Sequence, residues 1–144
     1  MIRKALWQDL NALTDMATAL WPEAEAEELF ETFKKMIFHE ECAVFLYFVG
    51  QIPVGFAQCQ LRRDYVEGTR SCPVGYLEAV FVRETYRRRG IASGLVARCE
   101  EWAKKQGCSE FASDCEVQNQ QSFLFHQKIG FAEVNRIICF TKKL

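Results

Sequence analysis

Two hydrophobic periodicities alternate along the chain. Leu10, Leu13, Met16, Ala17 and Leu20 recur at three- and four-residue intervals, the spacing of one helix face. They predict a helix over 6–20, after a short strand at 2–5. The stretch WPEAEAEELFETFKKMIF (21–38) predicts a second helix. Pro22 suits its start, Glu23, Glu25, Glu27 and Glu28 suit the positive end of its dipole, and Lys34 and Lys35 lie toward the other end. The texture then changes. CAVFLYFVG (42–50) and IPVGFAQCQLRRDY (52–65) are rich in β-branched and aromatic residues and meet at a Gly50-Gln51 turn, the pattern of two strands. VGYLEAVFV (74–82) is almost wholly apolar, as a central strand is. A long amphipathic helix follows over about 90–105, with Gly107 placed for a left-handed cap. SEFASDC (109–115) reads as a short strand, 119–128 as a helix, and FAEVNRIICFTKKL (131–144) as two strands or one bent one. The order βααβββαβαββ predicts a mixed α/β layer fold, with helices on both faces of one sheet.

Length and composition bound this picture without changing it. The 144 residues suit one domain, 1–144, large enough for a core without disulfide staples. Apolar residues are 49% and charged residues 26%, and the net charge of -1 favours neither nucleic acid nor a membrane surface as partner. Seven cysteines are an odd number with no C-x-x-C pair, so they read as reduced thiols packed mostly among apolar neighbours, as in a cytosolic protein. His39 and His126 are the only histidines, and with no ligand cluster no metal is expected. Gln8, Asp9, Asn11 and Asp15 break up the first apolar stretch, which fits neither a signal peptide nor a span and leaves the cytoplasm as the default location.

The candidate chemistry starts at YRRRGIASG. A strand that runs into a glycine turn and then a helix presents unpaired N–H groups and a positive dipole end, a seat for phosphate. The P-loop pattern G-x-x-x-x-G-K-S/T and the dinucleotide pattern G-x-G-x-x-G are both absent. What stands there is Arg87-x-x-Gly90-x-Ala92, directly after YLEAVFV. That combination closely resembles the acetyl-CoA signature of the GCN5-related N-acetyltransferases, the GNAT family. The resemblance implies a central mixed, mostly antiparallel sheet with a splayed strand pair. It also implies that the loop amides of Arg88, Arg89, Gly90, Ile91, Ala92 and Ser93 hold the CoA pyrophosphate, with Arg87 charge nearby. A second motif, NQQSFLFHQKIGF, sets Asn119, Ser122, His126 and Gly130 close to one helix face. It is similar to the family's late helix, in which the asparagine bonds the cofactor or the neighbouring strand and a tyrosine protonates the leaving thiolate. His126 stands at the tyrosine position; it either fills that acid role or lines the helix–sheet junction.

The pieces LWPEAE, RRDYVEG, SCPVGYLEAVFV, CSEFASD and GFAEVNR extend the resemblance almost from end to end, toward small bacterial aminoglycoside 6'-N-acetyltransferases. By that resemblance Trp21, Tyr65, Glu78, Asp114 and Glu133 form an aromatic and acidic substrate pocket, and relatives dimerise, some by exchanging C-terminal strands, so a homodimer is expected. The chemistry agrees, since a polycationic sugar needs carboxylates for its ammonium groups and flat rings to stack on. Glu78 stands out as a charge inside an apolar strand, where a carboxylate without partners is costly. Strand alternation places it with Val80 and Val82 unless a bulge intervenes. The family has such a bulge, which implies that the backbone of Val80, Phe81 and Val82 holds the pantetheine arm and that the Val80 amide supports the oxyanion. The expected reaction is direct transfer from acetyl-CoA in a ternary complex, with Glu78 as first candidate base, Asp114 as second, and Cys115 as an unneeded covalent route. Two alternatives remain: the same fold acting on a polyamine, protein N-terminus or lysine, or a non-catalytic acetyl-CoA-binding regulator.

Overall fold

A computed structural model describes all residues, 1–144. The elements are β1 (Ile2–Lys4), α1 (Leu10–Leu20), α2 (Ala26–Ile37), β2 (Cys42–Val49), β3 (Ile52–Arg62), β4 (Val74–Val82), α3 (Ile91–Lys105), β5 (Phe111–Ser113) and α4 (Gln120–Lys128). The five strands form one sheet in chain order, antiparallel except for β4 and β5, which run parallel. This is the mixed α/β sheet that the pattern predicts.

Strand alternation divides the apolar side chains between two faces. Val44, Leu46 and Phe56 pack with Leu10, Leu13, Met16 and Phe33 beneath α1 and α2. Their neighbours Ala43, Phe45 and Ala57 pack with Leu95, Val96, Cys99 and Trp102 beneath α3. Both faces are thereby covered, with β4 packed between α3 on one side and α1 and α2 on the other.

The junction from β1 to α1 is tied by one buried carboxylate. Asp9 accepts from Arg3 Nη1 at 2.6 Å and Nη2 at 2.9 Å, and from the Leu6 amide at 2.8 Å. A single 3₁₀ turn, Trp7–Asp9, therefore precedes α1, where the periodicity runs the helix back to residue 6. α2 begins at Ala26 rather than Pro22. Glu25 takes the extended N-cap conformation, so Glu27 and Glu28 form the first turn and Pro22 and Glu23 belong to the connection.

The end of the chain departs furthest from expectation. Residues 131–144 form neither strand nor helix. Phe131 still packs beside Phe111 and His126, but both faces of the sheet are already covered and the segment does not pair with the short edge strand β5, so the apolar side chains near its end find no place in the single chain. Ile137, Ile138 and Phe140 are 67%, 82% and 90% exposed. Only its beginning is attached: Val134 packs against Gly68, and Asn135 Nδ2 donates to Glu67 Oε1 at 2.9 Å. The cysteines also divide differently from the expectation. All seven are free, but Cys72, Cys115 and Cys139 are exposed, Cys42 is half-buried, and only Cys59, Cys99 and Cys108 are buried.

Candidate active site

β4 and β5 part early. Their pairing is Gly75–Phe111, Tyr76–Ala112 and Leu77–Ser113, and beyond Leu77 only β3 accompanies β4. The resulting V opens into a cleft of about 630 Å³, walled by the far half of β4, by α4, and by the loop that enters α3.

A bulge shapes the β4 wall. Gln58 pairs with Ala79, the next residue Cys59 pairs with Leu77, and Glu78 has no partner across the ladder. The extra residue reverses the alternation. Leu77, Val80 and Val82 all face α3, while Ala79 and Phe81 face α1 and α2. Glu78 is thereby released from the α3 core face that strict alternation assigns it. Its Oε1 accepts from Gln60 Nε2 at 2.8 Å and from Arg62 Nε and Nη2 at 3.1 and 2.8 Å. Its Oε2 makes no hydrogen bond to the protein. A charge in an apolar strand is tolerable because a fixed cation and an amide meet it.

The second carboxylate connects to the first. The Arg62 guanidinium lies 3.4 Å from the centroid of the Tyr76 ring, and Tyr76 Oη donates to Asp114 Oδ2 at 2.5 Å. Burial pushes the Tyr76 hydroxyl well above its usual range, and the Asp114 carboxylate adds to that push. Tyr76 therefore stays a donor at any ordinary pH. Gln60, Arg62 and Tyr76 escaped the sequence reading; their signal is cross-strand register, since Gln60 pairs with Tyr76 and both flank Glu78.

The loop before α3 is built to present amides. Arg88 has φ 63° and Gly90 has φ 76°, so the backbone curls and turns successive N–H groups inward. The first main-chain bond of the helix runs from Gly94 to the Gly90 carbonyl at 3.0 Å, which leaves the amides of Ile91, Ala92 and Ser93 without an intrahelical acceptor. Arg87 braces the loop by donating Nε to the Val82 carbonyl at 2.8 Å. Arg89 turns its side chain back to the Thr85 carbonyl at 3.1 Å and does not line the cleft.

On the opposite wall, Asn119 caps α4 by accepting from the Ser122 amide at 3.1 Å. His126 lies one turn beyond Ser122, with Nε2 2.8 Å from Ser113 Oγ. Trp21, Glu78, Val80, Phe81, Val82 and Asp114 share the cleft with them. Two expected substrate residues do not. Tyr65 is 78% exposed, outside the cleft on the loop from β3 to β4. Glu133 lies beyond α4, where Arg136 holds it and keeps its carboxyl below the usual range. Ser122 of the second motif lines the cleft as well, and Ser113 and Lys128 join it without having been singled out by the sequence. No group of three or more His, Cys, Asp or Glu side chains could hold a metal ion, and no helix is long and apolar enough to cross a membrane.

The family model for the acetyltransferase (GNAT) family matches residues 10–131. An aminoglycoside N(6')-acetyltransferase type 1 from Serratia marcescens is 38% identical over 137 residues, 94% of each chain. One from Stenotrophomonas maltophilia is 36% identical, across 99% of this chain and 93% of the relative. Among solved structures, AAC(6')-Iy in complex with the bisubstrate analog CoA-S-monomethyl-acetylneamine superposes with a TM-score of 0.96 at 32% identity, over 100% of this chain and 98% of that one. The aminoglycoside 6'-N-acetyltransferase AAC(6')-Ih from Acinetobacter baumannii gives 0.93 at 36% identity, over 100% and 98%. With splayed strands, a bulged β4 and a curled amide loop behind these matches, the chain belongs to the GNAT acetyltransferase family.

Proposed function

We propose that this chain transfers the acetyl group of acetyl-CoA to the 6'-amino group of aminoglycosides, by direct transfer in a ternary complex. The carrying observation is the bulge at Glu78. It turns a carboxylate with one free oxygen toward a cleft that also carries a loop of unpaired amides. The amides from Arg88 to Ser93 hold the pyrophosphate, and the splayed backbone of Val80, Phe81 and Val82 takes the pantetheine arm. Trp21 offers a flat surface to a sugar ring, while Glu78 and Asp114 attract its ammonium groups.

Gln60 and Arg62 occupy Glu78 Oε1, which leaves Oε2 to take a proton from the bound amine, directly or through one water. The neutral amine attacks the thioester carbonyl, the Val80 amide supports the oxygen as it gains charge, and the CoA sulfur departs with the bonding electrons. Asp114 binds a second ammonium and orients the ring, a role supported by the hydrogen bond with which Tyr76 holds the carboxylate. The experiment is thiol release from acetyl-CoA with kanamycin as acceptor. Glu78→Gln lowers kcat/KM by about 10²–10⁴ if Glu78 is the base. Unchanged kcat/KM in both Glu78→Gln and Asp114→Asn removes the assigned roles. CoA binding with no thiol release from aminoglycosides or simple amines points instead to a regulator.

The same reading includes a homodimer. Residues 131–144 have the composition of a strand and leave Ile137, Ile138 and Phe140 in solvent, as an arm does when its pairing edge belongs to a second copy. Need for acetyl-CoA, with seven free thiols, suits the reducing cytoplasm. Light scattering that gives one-chain mass at working concentration refutes the dimer.

A further inference from the structure

The hydrogen bonds of His126 assign its two nitrogens. Nδ1 lies 2.7 Å from the carbonyl oxygen of Ser122, one turn back along α4. A carbonyl only accepts, so Nδ1 donates to it, and the Ser122 hydroxyl, whose oxygen lies 3.3 Å from Nδ1, offers the same hydrogen a second acceptor. Nε2 is therefore the nitrogen left to exchange a hydrogen bond with the cleft, and the atom facing it is Ser113 Oγ at 2.8 Å. The ring cannot easily turn away: Phe125 and Phe131 flank it, with centroids at 6.0 and 5.2 Å.

Ser113 occupies a singular place in the sheet. Its pairing with Leu77 is the last before β4 and β5 separate, so its hydroxyl stands at the apex of the V. The same oxygen is 3.3 Å from the Leu77 carbonyl. When Nε2 is bare, the Ser113 hydroxyl donates to it. When the ring is an imidazolium, Nε2–H donates to Ser113 Oγ and the hydroxyl hydrogen is released toward the Leu77 carbonyl or toward whatever enters the apex.

Resting on the reading that this cleft carries out acyl transfer from acetyl-CoA, we propose that Ser113 delivers the proton to the departing CoA sulfur, and that His126 is the positioning residue and proton reserve behind it. As the carbon–sulfur bond breaks, its electron pair stays on sulfur. The Ser113 hydroxyl gives its proton to that sulfur, and Nε2–H of the imidazolium restores the hydroxyl. The ring is left neutral and takes a proton from water before the next turnover. The proton lost by the attacking amine leaves separately, through Glu78 to solvent. The charged groups that share the cleft with His126 are Glu78 from β4, Asp114 just past β5, Arg87 and Arg88 from the loop before α3, and Lys128 from α4 itself. Two carboxylates and three cations thus line the same cleft, and none of the five hydrogen-bonds the Ser113 hydroxyl, which meets Nε2 and the Leu77 carbonyl.

The test is the pH dependence of kcat at saturating acetyl-CoA and kanamycin, for the wild type and for Ser113→Ala, Ser113→Thr and His126→Gln. The wild type should show an alkaline limb that depends on the relay. Ser113→Ala and His126→Gln should both lose that limb and lower kcat at neutral pH by about tenfold to a hundredfold, at the low end for general acid catalysis because a thiolate leaves readily. KM for acetyl-CoA should stay within about twofold, since the contact forms only as the sulfur departs. Ser113→Thr keeps a hydroxyl and should keep the limb. The proposal is overturned if Ser113→Ala retains both kcat and the limb, or if His126→Gln loses the limb while Ser113→Ala keeps it, which makes the ring the direct donor. Should the wild type not turn over kanamycin, the aminoglycoside reading fails by itself; the same profiles are then taken with the amine that gives the fastest thiol release.

Discussion

Replacing Gly90 with alanine separates what the loop costs the fold from what it gives the ligand. Gly90 has φ 76°, and a Cβ built on it meets no protein atom within 4 Å. The penalty to the fold is therefore backbone strain alone, about 1–2 kcal/mol for an L-residue held in the left-handed region. At about 2–4 °C per kcal/mol for a domain of this size, Tm should fall by roughly 2–8 °C. The new methyl group would stand in the open space above the amides of Ile91, Ala92 and Ser93, where an anion has to approach. Loss of a single charge-assisted hydrogen bond, about 1.5–3 kcal/mol, weakens acetyl-CoA binding by roughly tenfold to a hundredfold. Gly107, at the other end of α3, supplies the control. It has φ 91°, a Cβ there also meets nothing, and it closes the helix through its own amide to the Lys104 carbonyl at 3.0 Å. Gly107→Ala should lose similar stability and no affinity. Calorimetry and thermal unfolding on the same samples make the comparison. If Gly90→Ala binds acetyl-CoA as tightly as Gly107→Ala does, the pyrophosphate does not sit on this loop.

Three further outcomes follow from other parts of the molecule. The Arg3 guanidinium holds the Asp9 carboxyl below the ordinary carboxylate range, so this pair stabilises the fold fully above the unfolded value of about 4 and ceases to do so as pH falls through the lower folded value. Urea unfolding should therefore show Asp9→Asn less stable by about 1.5–3 kcal/mol at neutral pH, with the gap closing only in strong acid. Deleting residues 132–144 should convert a dimer into a monomer by light scattering, and a truncated chain that still dimerises moves the interface elsewhere. In thiol titration of the native protein, Cys72 and Cys115 should react quickly and Cys59, Cys99 and Cys108 only on unfolding, consistent with burial raising the Cys108 thiol. Cys139 is exposed in the single chain and should be protected only when a second copy covers the arm.

How far the sequence predicts the structure depends on the reach of each signal. The loop before α3 is written in consecutive residues: Gly90 for a positive φ, small Ala92 beside it, and an amphipathic helix after it. The helices and strands of the core likewise follow from local periodicity. The bulge is not local. Whether Glu78 lies with Val80 depends on where β3 slips against β4, and that is decided at Gln58 and Cys59, about twenty residues earlier. The same holds for Arg62 and Gln60, whose importance arises only when register sets them against Glu78. Tyr65 and Glu133 were placed by motif, but each lies where loop geometry rather than strand register decides its direction, and neither reaches the cleft. The last strand failed for a different reason. FAEVNRIICFTKKL has the composition of a strand, but strand propensity does not name the edge that receives it.

One extra residue in β4 sets the proposed base apart from both cores. Count the apolar positions of β4 with Glu78 skipped, and Leu77, Val80 and Val82 alternate with Ala79 and Phe81 without a fault. The strand is complete without its glutamate, as a sentence is without a parenthesis. Excision of Glu78 should therefore yield a protein that melts cooperatively with both cores intact and a zipped ladder in place of the kink, yet one without the carboxylate proposed as its base.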